Sequence, residues 1–310
     1  MVVNKIPEPI VIDLANTEGF ELRKNAMEWV TKNLSKGPES GSVEEQSYGI
    51  LAEMVIRREL STLAEMDKPG RPIGYDILLP TNVKVDVKCR GGVRDFQTQY
   101  DGTGGIKRDA KHNFFARQII DPRLDADIYV MSHLTVPEAK TSLPGTTRQR
   151  KWKLFICGWV SKDRVKRDGV YIPRGSLTEQ GNSWFTYRGE EVEFYHKHLN
   201  EIKDITDLDK ITPVEVKKDI DSPCGLHMTI PDAMRIAYDL VGRGIIDQAG
   251  FIEIKNRLEV TGEVTPILHS NQYYHLIEWA KAQGILKDTD VNSTEMEKMF
   301  KKMKYTGPGY

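Results

Sequence analysis

The chain has 310 residues, 39% hydrophobic and 29% charged, so it has enough apolar material for a core and does not read as a disordered polymer. Lys and Arg total 44 against 45 Asp and Glu, a net charge of −1 that excludes a bulk polycation but not a segregated basic face. Cys89, Cys157 and Cys224 are dispersed, with no CxxC pair, and no run approaches the roughly 18 apolar residues of a membrane span, which excludes disulfide-framework, zinc-finger and membrane classes.

Taken in chain order, residues 17–34 carry Phe20, Met27, Trp29, Val30 and Leu34 at helical spacing, and Lys36-Gly37-Pro38 ends that helix. Ser42 followed by Glu45 predicts a capping box. It opens a helix over 44–64 with Ile50, Leu51, Met54, Val55 and Leu60 on one face. The period then drops to two. Segments 73–79 and 83–89 predict a hairpin turning at Pro80-Thr81-Asn82. Val83, Val85, Val87 and Cys89 share its apolar face, with Cys89 expected in the core; Lys84, Asp86, Lys88 and Arg90 share the polar one. A polar loop at 101–105 leads to an expected helix near 108–119, whose start at 107–112 would face phosphate. Strands are expected over 127–134 and 152–160, whereas 184–203 fits neither period. Segment 204–224, rich in Asp and Lys with Pro213 and Pro223, reads as a linker. Helices follow over 230–242, 246–259 and 270–283. The domain organisation is therefore 1–204, a linker 205–224, and a helical, winged-helix-like unit 225–310.

Chemistry concentrates on the hairpin. Asp76 stands on its first strand; Asp86 and Lys88, two apart, share a face of its second. Carboxylate oxygens there suit Mg²⁺ together with water and phosphate oxygens. A lysine beside them can orient a water and offset phosphate charge. Glu53, at the edge of the apolar stripe of the preceding helix, is a third acid; Glu45 or Glu59 could replace it. The competing reading of Asp86 and Lys88 is a solvated strand face with cross-strand ion pairs.

In order and context, Glu53, Asp76 and Asp86-Val87-Lys88 resemble the PD-(D/E)XK, or restriction-endonuclease-like, nuclease superfamily. The resemblance spans about 42–165 and takes in the strands containing Asp125-Ala126-Asp127 and Phe155-Ile156-Cys157. The Gly158-Trp159 pair is similar to phage and mobile-element members. Tyr75 stands where many members have proline, and the spacing of Gln97 and Tyr100 departs from the exonuclease-like branch. The resemblance implies an α/β fold with a mixed sheet flanked by helices, Mg²⁺ dependence with Mn²⁺ substituting, and hydrolysis of DNA phosphodiesters by an endonuclease. Asp76, Asp86, Glu53 and the Val87 carbonyl would hold metal, and Lys88 would orient the attacking water. A homodimer is expected, since two strands need two sites. The alternatives are a non-catalytic DNA-binding or assembly protein that keeps the fold, and a Holliday-junction resolvase.

Charge is segregated as DNA contact requires. Residues 84–174 hold 19 Lys and Arg against 10 Asp and Glu, whereas 204–310 hold 13 against 17. Arg90, Arg94, Lys107, Arg108 and Lys111 cluster after the hairpin; Arg148, Arg150, Lys151 and Lys153 form a second run. His112 is expected at the surface or in packing, and Trp159 as a packing anchor. Residues 273–280 suit either a DNA-recognition helix or a surface for a protein partner. With no signal-like N-terminus, a cytoplasmic location is expected.

Overall fold

Side chains alternating with period two build the centre of the molecule. The computed structural model describes residues 7–33, 42–60, 74–91, 110–121, 123–136, 152–172, 177–180, 183–186, 189–222, 227–228, 230–261, 264–266 and 272–302. In chain order these form β1 (Ile10–Asp13), α1 (Thr17–Lys32), α2 (Val43–Glu59), β2 (Ile77–Leu78), β3 (Lys84–Gly91), β4 (Lys111–Phe115) and α3 (Ala116–Ile120). There follow β5 (Ile128–Thr135), β6 (Lys153–Ser161), α4 (Lys162–Asp168), β7 (Val170–Ile172), β8 (Leu177–Gln180), β9 (Ser183–Thr186) and β10 (Glu191–Tyr195). The remainder is α5 (Pro213–Ile220), β11 (His227–Met228), α6 (Ile230–Gly242), α7 (Gln248–Thr261), β12 (Val264–Pro266), α8 (Gln272–Ala282) and α9 (Ser293–Lys302).

The main sheet runs β1-β6-β5-β3-β2. β3 and β5 are parallel and the other pairs antiparallel, so the sheet is mixed and the fold is α/β. α1 and α2 cover one face. Asn16 caps α1 through the Gly19 N–H, and the Ser42 and Glu45 box caps α2 as its sequence predicts. Val85, Val87, Ile128, Val130, Leu154 and Ile156 from the sheet bury against Ala26, Val30, Leu51 and Val55 from the helices. On the opposite face Tyr129, Met131, Phe155 and Cys157 pack against Phe114 and Phe194, which belong to a second, three-stranded sheet ordered β4-β10-β7.

β6 carries an irregularity that sets its side-chain parity. Met131 pairs with Gly158 and Ser132 with Ile156, leaving Cys157 as the extra residue of a bulge. Leu154, Ile156 and Trp159 therefore share the helix-side core, while Phe155, Cys157 and Val160 share the other. Gly158 has φ of 136°, and a Cβ there would lie 2.4 Å from the Asn200 carbonyl oxygen. Trp159 next to it exchanges two backbone hydrogen bonds with Asn200, at 3.0 and 2.8 Å, and is buried as an anchor.

Several expectations are corrected. Residues 111–115 form a strand rather than the body of a helix. His112 and Phe114 point inward and alternate with Lys111, Asn113 and Phe115, a period of two that β10 completes by pairing. The helix after it has only five residues, too short for a phosphate-binding N-terminus. Asp76 stands one residue before the two-residue β2, although its N–H still bonds Val85 O at 2.8 Å. Cys89 is half-buried at the margin of the core. Segment 184–203 resolves into part of β9, β10 and a 3₁₀ turn at His196–His198.

The expected linker is structured. Residues 205–210 form a 3₁₀ turn and 213–220 form α5, with Ile205, Leu208, Ile211 and Val216 in the helix-side core. Asp219 accepts from Ser161 N at 2.7 Å and Asn200 Nδ2 at 2.8 Å, and pairs with Arg164 at 2.5 Å. The C-terminal helices do form where the glycine turns suggest. α6 to α8 pack through Ile236, Leu240, Ile254, Leu258, Leu276 and Ile277, and their core also takes in Ile172 and Tyr195. Tyr273, Trp279 and Ala280 are buried in that core, so the apolar face of 273–280 is used within the bundle.

Candidate active site

β3 places its even-numbered residues from 84 to 90 toward Tyr129, Met131 and His133 of β5, through the pairs Asp86 with Tyr129, Lys88 with Met131 and Arg90 with His133. Asp86 and Lys88 are thus carried onto the face opposite α2, and their side chains are 18% and 17% exposed. Lys88 Nζ lies 2.7 Å from Asp86 Oδ2 and 5.7 Å from the centre of the Tyr129 ring.

Asp76 reaches the same place from the turn before β2. Its Oδ2 accepts from the Val87 N–H at 2.8 Å. In a strand the N–H and C=O of one residue face the same edge, so the Val87 carbonyl opens on the β3 edge that Asp76 approaches. Asp86 is pushed up to about 7. Burial is the main cause; Lys88 opposes it, and Asp76 adds to it both as a negative neighbour and as a hydrogen-bond partner. Two carboxylates therefore meet in a half-enclosed place where ionising both is unfavourable without a cation.

Glu53 is buried on α2, at 3% exposure. Arg57, one turn on, pairs with it at 2.9 Å and donates from the same nitrogen to the Asp76 carbonyl oxygen. Through this guanidinium Glu53 is joined to the backbone of Asp76. The other acids weighed for its role are engaged elsewhere: Glu45 in the α2 cap and Glu59 with Arg58, at 2.8 Å. Arg57 carries no motif, and four-residue spacing on a helix is its only trace in the sequence.

Lys162, also without a sequence signal, contributes a second ammonium. It opens α4 directly after β6, and its side chain donates to the Leu124 carbonyl oxygen. Burial lowers its pKa, while Asp163, Asp125 and Asp86 act in the opposite direction. Burial also raises the Tyr129 hydroxyl, with the Asp86 charge adding to it.

The basic residues divide. Arg90 spends its guanidinium on β4, donating to Lys111 O at 3.2 Å and Asn113 Oδ1 at 2.9 Å. Lys111 pairs with Glu193 at 3.1 Å and lies over the Tyr195 ring. Arg90 thus ties the main sheet to the three-stranded sheet, while Lys111 braces β4 against β10 within the latter. Lys153 is exposed at the start of β6. Arg94, Lys107, Arg108, Arg148, Arg150 and Lys151 lie outside the described residues. His112 is fully buried rather than at the surface.

No family model matches this chain, and no curated protein or solved structure matches it. Among the described residues no helix is long and apolar enough to cross a membrane.

Proposed function

We propose that this chain is a Mg²⁺-dependent DNA endonuclease built on a restriction-endonuclease-like core. One observation carries the reading: Asp76, from the turn before β2, and Asp86, on β3, meet beside Lys88 in a half-enclosed place, where burial, with Asp76 adding to it, raises Asp86 to about 7. The donor set is oxygen, partly enclosed and anionic, which fits a hard divalent cation. Asp76, Asp86 and the Val87 carbonyl would hold it, with Glu53 behind them. Bound Mg²⁺ supplies charge neutralisation at the phosphate and a more acidic water.

The chain's own residues do the rest. Lys88 keeps an ammonium within hydrogen-bond distance of Asp86, where it orients a water against the scissile phosphate and balances charge there. Tyr129 forms an apolar floor under that ammonium. Arg57 neutralises Glu53 and fixes the backbone that carries Asp76. The basic excess of 84–174 supports polyanion binding around the site.

The test is Mg²⁺-dependent cleavage across a panel of supercoiled, linear, single-stranded and four-way-junction DNA. Asp86→Ala and Lys88→Ala should each lower cleavage at least about 100-fold while circular dichroism stays native. Undiminished cleavage by either variant would remove the assignment.

A further inference from the structure

Three side chains far apart in sequence meet between the two sheets. His112 lies on β4, Cys157 at the bulge of β6 and His196 immediately after β10. All three are buried, and one ligand atom from each lies within 4.8 Å of the other two. None belongs to the carboxylate site.

The hydrogen bonding of the two histidines is what a metal site needs, while the Cys157 thiol donates only a weak bond to the Phe155 carbonyl oxygen at 3.5 Å. His196 Nε2 lies 2.9 Å from the Pro7 carbonyl oxygen. A carbonyl only accepts, so Nε2 carries the proton and Nδ1 keeps its lone pair. That Nδ1 has no hydrogen-bond partner. An imidazole anchored by one nitrogen to a backbone carbonyl, with the other left to coordinate, is the usual arrangement of a metal-ligating histidine. His112 has no exposed surface, and neither of its ring nitrogens has a hydrogen-bond partner. Buried polar atoms are nearly always satisfied, so a whole imidazole without a partner calls for an explanation. Around the three, Phe114, Met131, Phe155 and Phe194 give an apolar wall.

We propose that His112, Cys157 and His196 form a Zn²⁺ site that ties the main sheet to the three-stranded sheet. One thiolate and two imidazoles are a nitrogen and sulfur donor set, which suits Zn²⁺ and not Mg²⁺. His133 lies beside the cluster, its ring centre 4.4 Å from that of His112. Zinc bonds of about 2.0–2.3 Å set neighbouring ligand atoms roughly 3.5 Å apart, so separations of at most 4.8 Å need close by no more than about 1.3 Å on binding. Binding deprotonates the Cys157 thiol and releases the proton to solvent. The bulge has a function in this arrangement, since it sets Cys157 outside the β5 pairing.

Full-length protein purified from zinc-containing medium is expected to hold one zinc per chain by elemental analysis. Exchange with Co²⁺ should give the visible bands of a tetrahedral site and a thiolate-to-cobalt charge-transfer band. Cys157→Ser should abolish the charge-transfer band, His112→Ala should weaken Co²⁺ binding at least about 10-fold, and Cys89→Ser should leave both intact. Excess Mg²⁺ should not displace the cobalt. A natively folded wild-type chain that takes up neither Zn²⁺ nor Co²⁺ would overturn the proposal. So would a charge-transfer band that survives in Cys157→Ser or disappears in Cys89→Ser, or cobalt that Mg²⁺ displaces.

Discussion

Asp86 is held near neutrality by its surroundings, and that has a cost measurable without any substrate. Its folded-state pKa is raised from 3.8 to about 7, chiefly by burial. A raised carboxylate favours the folded state below the ordinary value and loses that contribution as pH rises through the folded value. In chelator, the wild type should lose stability relative to Asp86→Asn between about pH 4 and about pH 7. Thermal melting across that range checks it, and equal slopes for the two proteins would show that Asp86 is not the titrating group. Arg57 acts in the opposite sense, by compensating a buried charge. Arg57→Ala removes the cation paired with buried Glu53 at 2.9 Å, and urea denaturation should show a loss of about 3 kcal/mol, partly restored by adding Glu53→Gln. These two residues also mark what a sequence discloses at this scale. Asp86 and Lys88 were legible because the strand period puts them on one face. Arg57 and Lys162 were not, because neither is set apart by spacing or composition; they matter through a carbonyl or a carboxylate distant in sequence.

Elements were legible where one period governs a whole segment. α1, the cap of α2, β5, β6 and the C-terminal helices follow from apolar spacing and a few capping or glycine positions. Segment 108–119 reads as a helix because Phe114, Phe115 and Ile119 also satisfy a helical spacing, and only pairing with β10 decides between the two periods. The bulge in β6 was invisible for a related reason: a parity shift needs a cross-strand partner to define it. Its dependence on glycine is testable. Gly158→Ala would put a Cβ against the Asn200 backbone at a positive φ, and should cost about 2–4 kcal/mol by urea denaturation. Gly49, inside α2 with nothing within 4 Å of its missing Cβ, is the contrasting case. Gly49→Ala should raise stability by up to about 1 kcal/mol, through the lower entropy of its unfolded chain. Equal effects at the two positions would mean that the Asn200 contact does not constrain β6.

At the scale of the whole molecule, the boundary between the α/β unit and the helical bundle decides what can be removed. A linker over 204–224 would predict a self-sufficient 1–204. The packing predicts the reverse. Ile205, Leu208, Ile211 and Val216 fill the helix-side core, and Asp219 satisfies Ser161, Arg164 and Asn200 at the end of β6. Ending the chain at 204 uncovers that core and leaves Arg164 without its buried carboxylate partner at 219, a loss of several kcal/mol from a fold with a margin of about 5–15. Composition hid this, because most of the Asp and Lys that make 204–224 look solvated, Asp219 apart, lie on the outer faces of a 3₁₀ turn and a helix. A chain ending at 222 keeps all of these contacts and loses the bundle's cover over Ile172 and Tyr195. Residues 1–222 should therefore fold cooperatively, less stably than the full chain, while 1–204 should lack a cooperative urea transition. Circular dichroism and urea melts of the two truncated chains check this. A chain of 1–204 as stable as 1–222 would return 205–222 to the status of a linker and place the limit of the α/β unit ahead of α5.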